Sequence, residues 1–179
     1  EWIESGKLGK VYSFRTAFGH PGPETWSAEG KDSWFFKKDQ AFIGAMGDLG
    51  VHKTDLILYI LGEEIVEVAA MVETSAKENA DVDDNAVLIL KTQSGIVGTL
   101  AASWSYNGTE DNSTVIYAEN GVLRLEDDET FSVVFHKSDR TKEELNLGQI
   151  QSNDEGGQVT SGVIDHFVES ILTGNSPLI

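Results

Sequence analysis

Apolar and polar positions alternate along much of this chain with the two-residue period of β-strands. Alternation, or a run of β-branched and apolar residues, marks the segments 10–18, 65–74, 85–92, 96–104, 114–118, 122–125 and 131–136. Short turns join two pairs of these segments, and one turn contains Asn120-Gly121, a dipeptide typical of tight hairpins. The pattern predicts six or more strands, with antiparallel pairs in the middle of the chain.

Two segments carry apolar residues at helical spacing instead. Gly47 to Leu61 predicts one helix, which Gly62 ends, and Val159 to Thr173 predicts another near the end of the chain. Loops are predicted at residues 20–39, which hold two prolines and two tryptophans, and at the polar residues 149–157. Helices on either side of a run of strands predict an α+β fold. Its sheet is large, mostly antiparallel or mixed, and open-faced, with helices packed on one face.

Composition limits the partners and the chemistry. The 179 residues suffice for a single domain, 1–179, with a sizeable core. Thirteen Lys and Arg residues stand against 30 Asp and Glu residues, and the formal charge of −17 repels nucleic-acid phosphates and anionic membrane surfaces. The lack of cysteine excludes disulfides, zinc–thiolate sites and cysteine nucleophiles. We therefore expect a cytoplasmic protein without nucleic-acid or membrane partners.

The first predicted helix carries the residues best suited to chemistry. Asp48, His52, Asp55 and Tyr59 are spaced i, i+4, i+7 and i+11, so an α-helix places them on one face. Such a stripe is consistent with a solvated surface, with an internal hydrogen-bond network, or with a wet pocket. In a pocket, Asp48 can orient the His52 imidazole for general-base work. One histidine and two carboxylates along a helix form no recognised zinc motif, so no metal site is predicted.

The sequence around this helix resembles a known family. Gly44-Ala45-Met46-Gly47-Asp48-Leu49-Gly50-Val51-His52-Lys53-Thr54-Asp55, ending at Leu61-Gly62, is similar to the glycine-rich turn and D-x-G-x-H-x-x-D helix of the Gfo/Idh/MocA oxidoreductases. That family includes inositol dehydrogenases and glucose–fructose oxidoreductase. Weaker matches follow in the same order at residues 3–9, 83–86, 94–95, 102–104 and 121–123, so the resemblance covers most of the chain. Phe42 and Ile43 stand where the family's turn has glycines.

The resemblance implies a fold like the C-terminal domain of glyceraldehyde-3-phosphate dehydrogenase-like oxidoreductases. It also implies that hydride passes between a sugar or polyol hydroxyl and the nicotinamide of NAD or NADP. Asp48 matches the acid that hydrogen-bonds the substrate hydroxyls, His52 matches the residue that takes the hydroxyl proton, and Asp55 matches a supporting acid. The family's G-x-G-x-x-G fingerprint and the lysine of its E-K-P segment are missing from this sequence. We therefore expect the N-terminal Rossmann domain, which holds most of the cofactor, to be absent and the chain alone to be inactive.

Three further residues are candidates for substrate contact: Arg15 on the first strand, and His20 and Trp26 on the loop that follows it. The simpler interpretations are a cross-strand ion pair for Arg15 and structural or core-covering roles for the other two. The acidic cluster of Asp81, Asp83, Asp84 and Asn85 lacks the pattern of a calcium loop and is expected to be a solvated turn before a strand.

Two alternatives to a dehydrogenase domain follow from the same residues. The predicted open face of the sheet suits a homodimer or homotetramer, so the chain is alternatively a non-catalytic sugar-binding or assembly module. A metal-dependent hydrolase that uses Asp48, His52 and Asp55 is the third hypothesis.

Overall fold

The alternating segments form one eight-stranded sheet in a computed structural model of the chain, which describes residues 2–3, 5–146 and 163–177. The strands are β1 (Val11–Gly19), β2 (Ile65–Glu73), β3 (Asn85–Thr92), β4 (Val97–Ser103), β5 (Thr114–Ala118), β6 (Gly121–Leu125), β7 (Val133–Lys137) and β8 (Lys142–Leu145). Their order is β2-β3-β4-β1-β5-β6-β7-β8, with β1 and β4 parallel and the other neighbours antiparallel. The predicted α+β class with a mixed sheet is confirmed.

Strand β8 has no counterpart in the sequence prediction. Its sequence, Lys-Glu-Glu-Leu, has no apolar alternation, and it joins the sheet by pairing with β7. Local pattern alone does not report such an edge strand, because the backbone of its neighbour holds it in place.

The described residues form three α-helices: α1 (Lys38–Ala41), α2 (Val51–Leu61) and α3 (Val163–Thr173). The predicted helix of residues 47–61 is confirmed, but its first turn, Met46–Gly50, is a π-helix. Within the predicted loop of residues 20–39, three short 3₁₀ turns form. The predicted polar loop of residues 149–157 and the first four residues of the predicted last helix lie outside the described residues. No helix within the described ranges is long and apolar enough to cross a membrane.

The chain divides into two compact units, Glu1–Asn146 and Leu147–Ile179. The first holds the whole sheet with α1 and α2, and the described part of the second is α3 and the residues after it. Gly174 ends α3 in a positive-φ conformation, with its N–H donating to the Ser170 carbonyl. The assignment of residues 1–179 to a single domain stays a prediction.

The sheet of the first unit has one covered and one open face. Along β3, Leu88 and Leu90 are buried, whereas Val87 and Ile89 are 52% and 53% exposed, as the two-residue period requires. On the covered face, strand side chains pack with α2 and with the loop that precedes it; these buried residues include Phe14, Phe36, Leu49, Ile57, Leu88, Leu90, Leu100, Trp104 and Ile116. The core therefore lies between the sheet and the predicted active helix.

The parallel pair decides where the functional residues meet. The register of β1 on β4 runs from Ser13 opposite Val97 to Gly19 opposite Ser103, so both strands end at the same edge of the sheet. The residues that follow them therefore emerge side by side. Hairpin patterns alone do not predict that β1 and β4 are neighbours in the sheet, because two α-helices and two strands separate them along the chain.

Candidate active site

The site begins where β1 and β4 end. The His20 N–H donates to the Ser103 carbonyl at 3.0 Å, so the loop after β1 starts directly beside the end of β4. Trp104 follows Ser103, and its N–H donates to the Asp84 carbonyl at 2.8 Å. These backbone bonds place His20 and Trp104 at one edge of the sheet.

A carboxylate holds the beginning of the site helix at this edge. Both oxygens of Asp83 accept backbone hydrogen bonds at 2.7 Å, one from the Gly44 N–H and one from the Met46 N–H. The Asp83 carbonyl accepts a third bond from Ala45 at 2.8 Å. A Cβ at Gly44 would lie 1.8 Å from that carbonyl oxygen, so the contact requires glycine. Asp83 thus fastens the helix start to the turn before β3.

The first turn of the helix is a π-turn. The Val51 N–H donates to the Met46 carbonyl, five residues back, before regular α-helix continues to Leu61. A π-turn contains one more residue than an α-turn, and such turns are frequent at functional sites. It carries Asp48, so the orientation of Asp48 relative to His52 differs from the one that uniform helical spacing implies.

The partner of Asp48 is an indole. Trp104 Nε1 donates to Asp48 Oδ2 at 3.0 Å, and the Trp104 side chain is fully buried. Phe36 packs edge-to-face against Trp104 at 5.6 Å between ring centroids, which fixes the indole plane. The carboxylate is therefore oriented by Trp104, whereas sequence spacing had suggested a contact between Asp48 and His52.

Two imidazoles lie close to the Phe18 ring. The ring centroid of Phe18 is 6.0 Å from that of His20 and 6.3 Å from that of His52. The Gly22 N–H donates to His20 Nδ1 at 2.9 Å, so the proton of neutral His20 resides on Nε2. Burial lowers the pKa of His20, while the negative charge of Asp48 opposes this shift. His20 and Asp48 thus share one electrostatic environment.

The structure brings several of the predicted site residues together. Asp48, His52 and His20 come together around Phe18 and Trp104, and Trp26 approaches the same region through Phe35, with ring centroids 5.1 Å apart. Phe35 in turn lies 6.5 Å from Trp104. Asp55 is exposed on α2, on the same side as His52.

Arg15 is not brought to this site. It is exposed on β1, and its buried neighbour Thr16 hydrogen-bonds Thr114 on the covered face. Because successive strand residues point to opposite faces, the Arg15 side chain lies on the open face, away from α2. The geometry does not support substrate contact by Arg15.

The expected solvated turn is wrong for Asp84, although Asp81 in the same turn is exposed. Asp84 is fully buried, and its carboxylate accepts hydrogen bonds from the N–H groups of Ser75, Ala76 and Lys77 at 2.6–2.9 Å. Lys77 also contacts Glu24 and the Pro21 carbonyl on the loop after His20. These acids therefore organise the loops on both sides of the site.

Sequence reasoning missed Trp104, Asp83 and Lys53. For Lys53 a signal was present: Leu49, Lys53 and Ile57 recur every four residues, and all three are buried. For Trp104 the signal was its position at the end of a strand, since a buried indole N–H requires an acceptor. Nothing local marked Asp83, because its partners lie 37 and 39 residues away.

The residue set also bears on cofactors. Within the described ranges, no three His, Asp or Glu side chains come together to hold a metal ion, so the geometry gives no support to a metal-dependent hydrolase. No glycine-rich phosphate-binding loop occurs in the sequence to hold a dinucleotide. A carboxylate with a fixed donor and two imidazoles beside one ring can bind hydroxyl groups and transfer a proton.

Comparison with known proteins adds to this geometry. The family model described as the GFO/IDH/MocA C-terminal domain matches residues 1–124. Levoglucosan dehydrogenase from Pseudarthrobacter phenanthrenivorans is 28% identical over an alignment of 138 residues, and the match covers 64% of this chain and 34% of that protein.

Two solved structures share the fold. A levoglucosan dehydrogenase in complex with NADH and levoglucosan has a TM-score of 0.74 and 24% identity, over 99% of this chain and 53% of that one. Aldose–aldose oxidoreductase from Caulobacter crescentus, complexed with glycerol, has a TM-score of 0.73 and 21% identity, and the match covers 99% of this chain and 50% of that one. The chain thus spans about a third of the curated relative and about half of the solved structures.

Proposed function

The chain belongs to the GFO/IDH/MocA C-terminal domain family, and from this premise we propose that it is the substrate-binding part of an NAD- or NADP-dependent dehydrogenase. The substrate is a sugar or polyol, and Asp48 and His52 are the residues that act on its hydroxyl group. The arrangement of Asp48, His52 and His20 around Phe18 carries the proposal. Relatives named as a levoglucosan dehydrogenase and an aldose–aldose oxidoreductase support the substrate class.

Asp48 binds and orients in this proposal. Trp104 Nε1 donates to Oδ2, and among the described residues none is seen to donate to Oδ1, so this oxygen can accept a hydrogen bond from a substrate hydroxyl. Because the indole is buried, it holds the carboxylate in one direction before substrate arrives, which lowers the entropy cost of binding.

His52 moves the proton. Its imidazole is exposed on α2 and accepts the hydroxyl proton on a ring nitrogen as the C–H bond breaks. The nicotinamide, when bound, accepts the hydride. Binding of the dinucleotide is assigned to a Rossmann domain outside this chain, since the chain carries no fingerprint for it. The 179-residue chain alone is therefore expected to reduce neither NAD nor NADP.

Substitution of His52 in the complete enzyme tests the proposal. We expect His52→Ala to lower kcat by roughly 10²- to 10⁴-fold, the usual contribution of general acid–base catalysis. Turnover is followed by nicotinamide absorbance with NAD and NADP against glucose, inositol and glycerol. His136→Ala is the matched control, because His136 is exposed on β7, on the far side of the sheet order from β4. A folded His52→Ala enzyme with near-normal kcat contradicts the assignment.

A second function, assembly, is supported by the open face of the sheet. Met71, Val87 and Ile89 lie on this face beside one another and are 52–75% exposed. Apolar surface of this kind marks interaction sites, and we propose that it forms a homodimer or homotetramer. Light scattering of the complete protein tests this, with Ile89→Lys expected to shift the mass to that of a monomer. A wild-type protein that is already monomeric contradicts assembly through the sheet.

A further inference from the structure

Lys53 is a buried cation on the inner side of the site helix. It is 4% exposed and follows His52 directly, so the two side chains leave the helix in different directions. Leu49 and Ile57, one turn before and one turn after it, are core residues. An ammonium group at this position is costly to bury, and its contacts therefore call for a physical reason.

The acceptors of Lys53 lie in the loop between β4 and β5 and at the start of β5. Its Nζ donates to the Asn112 carbonyl at 2.7 Å and to Thr114 Oγ1 at 3.4 Å, and lies 5.8 Å from the Phe18 ring centroid. Neither acceptor is a carboxylate. Burial lowers the pKa of Lys53 to about 8, while the negative charges of Asp111, Glu126 and Glu110 oppose that shift. The charged amine is thus held mainly by neutral groups.

The Asn112 carbonyl belongs to residues 105–113, the loop between β4 and β5, which forms a wall beside the site. Gly19 and Asp111 exchange two backbone hydrogen bonds, at 2.8 and 2.9 Å. The Tyr106 ring covers Gly19 so closely that a Cβ there would lie 2.2 Å from a ring carbon. The Glu110 charge acts on both His20 and Lys53. The loop is therefore attached to β1 by its backbone and to α2 by Lys53.

We propose that Lys53 is a positioning residue of the substrate site, which ties the loop of residues 105–113 to the helix that carries His52. The hydrogen bond from Lys53 to the Asn112 carbonyl sets the distance between the helix that carries His52 and the loop that carries Glu110. A substrate that contacts both sides binds best when that separation is fixed. This inference rests on the proposed function, because it assigns a role at the same site.

A purely structural role for Lys53 makes different predictions. If the amine served stability alone, an apolar side chain of similar length would alter unfolding and leave substrate affinity and loop motion unchanged. Replacing a buried charge with an apolar group is often neutral or stabilising, so Lys53→Met is a suitable test. Methionine is unbranched and fills irregular core space. Lys91→Met is the matched control, since Lys91 is exposed on β3 and paired with Glu67.

The experiment uses the complete enzyme and two measurements. For Lys53→Met we expect KM for the best substrate among glucose, inositol and glycerol to rise about tenfold, while kcat stays within about threefold of the wild type. The variant loses one hydrogen bond from a charged group. That loss weakens binding of the substrate and of the transition state equally, so it raises KM and leaves kcat nearly unchanged. Amide exchange at residues 109–113 should accelerate about tenfold for the same reason. Lys91→Met should change neither quantity. Unchanged KM and unchanged exchange in a folded Lys53→Met enzyme overturn the proposal.

Folding failure is also decisive. If Lys53→Met does not fold, Lys53→Gln, which keeps a donor on a shorter side chain, is measured in the same way, and the same direction of change is expected. If neither variant folds, Lys53 serves the fold itself and the positioning role is rejected. The exchange measurement needs no substrate, so it distinguishes failure of the Lys53 tie from failure of the dehydrogenase assignment, which His52→Ala tests separately.

Discussion

Asparagine in place of Asp83 tests the attachment of the site helix with a change of one atom. Asp83 accepts one backbone N–H on each carboxylate oxygen, from Gly44 and Met46, both at 2.7 Å. The asparagine amide keeps one acceptor but directs an NH₂ group at the second N–H. The variant therefore loses a charge-assisted bond and leaves a backbone donor unpaired.

The expected loss follows from that count. A hydrogen bond to a charged group contributes about 1.5–3 kcal/mol, so Asp83→Asn should lower the free energy of unfolding by about 2 kcal/mol. For a chain of this length that corresponds to a fall in Tm of roughly 4–8 °C.

Urea unfolding of the wild type and two variants measures the difference. Asp81→Asn is the matched control, because the exposed Asp81 accepts a single backbone bond, from Lys38, and asparagine keeps that acceptor. We expect the control to lose less than about 1 kcal/mol. If Asp83→Asn and Asp81→Asn are equally stable, the reasoning about the two-oxygen clamp is refuted.

Three further predictions concern the same region. Trp104→Phe removes the donor to Asp48 Oδ2, so kcat/KM of the complete enzyme should fall about tenfold or more in steady-state assays; an unchanged value contradicts the orienting role. Because the folded pKa of His20 is lowered, the unfolded chain binds more protons than the folded chain near and below the usual imidazole pKa of 6.5, so stability should fall as pH drops through and below that value. Thermal unfolding at about pH 7 and about pH 5.5 measures the fall in Tm, and we expect a smaller fall for His20→Asn than for the wild type. The same fall in both proteins would contradict the role given to His20. Gly44→Ala places a Cβ 1.8 Å from a backbone oxygen, whereas Gly47→Ala meets an exposed side chain that can turn away. In urea unfolding we expect the free energy of unfolding to fall by about 3 kcal/mol for Gly44→Ala and by less than about 1 kcal/mol for Gly47→Ala. Equal losses in the two variants would contradict the close contact at Gly44.

Seven of the eight strands and the site helix were predictable from local pattern. The period of two in β3 follows from burying Leu88 and Leu90 while Val87 and Ile89 stay exposed. The spacing of Asp48 and His52 likewise predicted that both lie on one face of a helix, because side chains one turn apart share a face. These features depend on neighbours in the sequence, so the sequence alone determined them.

The composition of the site depended on the tertiary structure. The parallel pairing of β1 with β4 brings His20 beside Trp104, and the π-turn directs Asp48 to the indole. Arg15 and Phe18 lie on the same strand, but successive strand residues point to opposite faces of the sheet. The Arg15 side chain therefore lies on the open face, away from the site. Each outcome rests on contacts between segments far apart in the chain, and no periodicity within one segment records them.

Lys53 and Asp83 show the same division most clearly. The sequence placed Lys53 on the apolar side of α2, but only the fold supplied the Asn112 carbonyl that makes a buried amine tolerable. The sequence displayed an acidic turn at residues 81–84, but only the fold showed that its carboxylates accept hydrogen bonds from backbone N–H groups of other segments. Charged side chains are usually exposed, because burying a charge without a partner is costly. Lys53 and Asp84 are buried because the fold supplies partners for them from other segments of the chain.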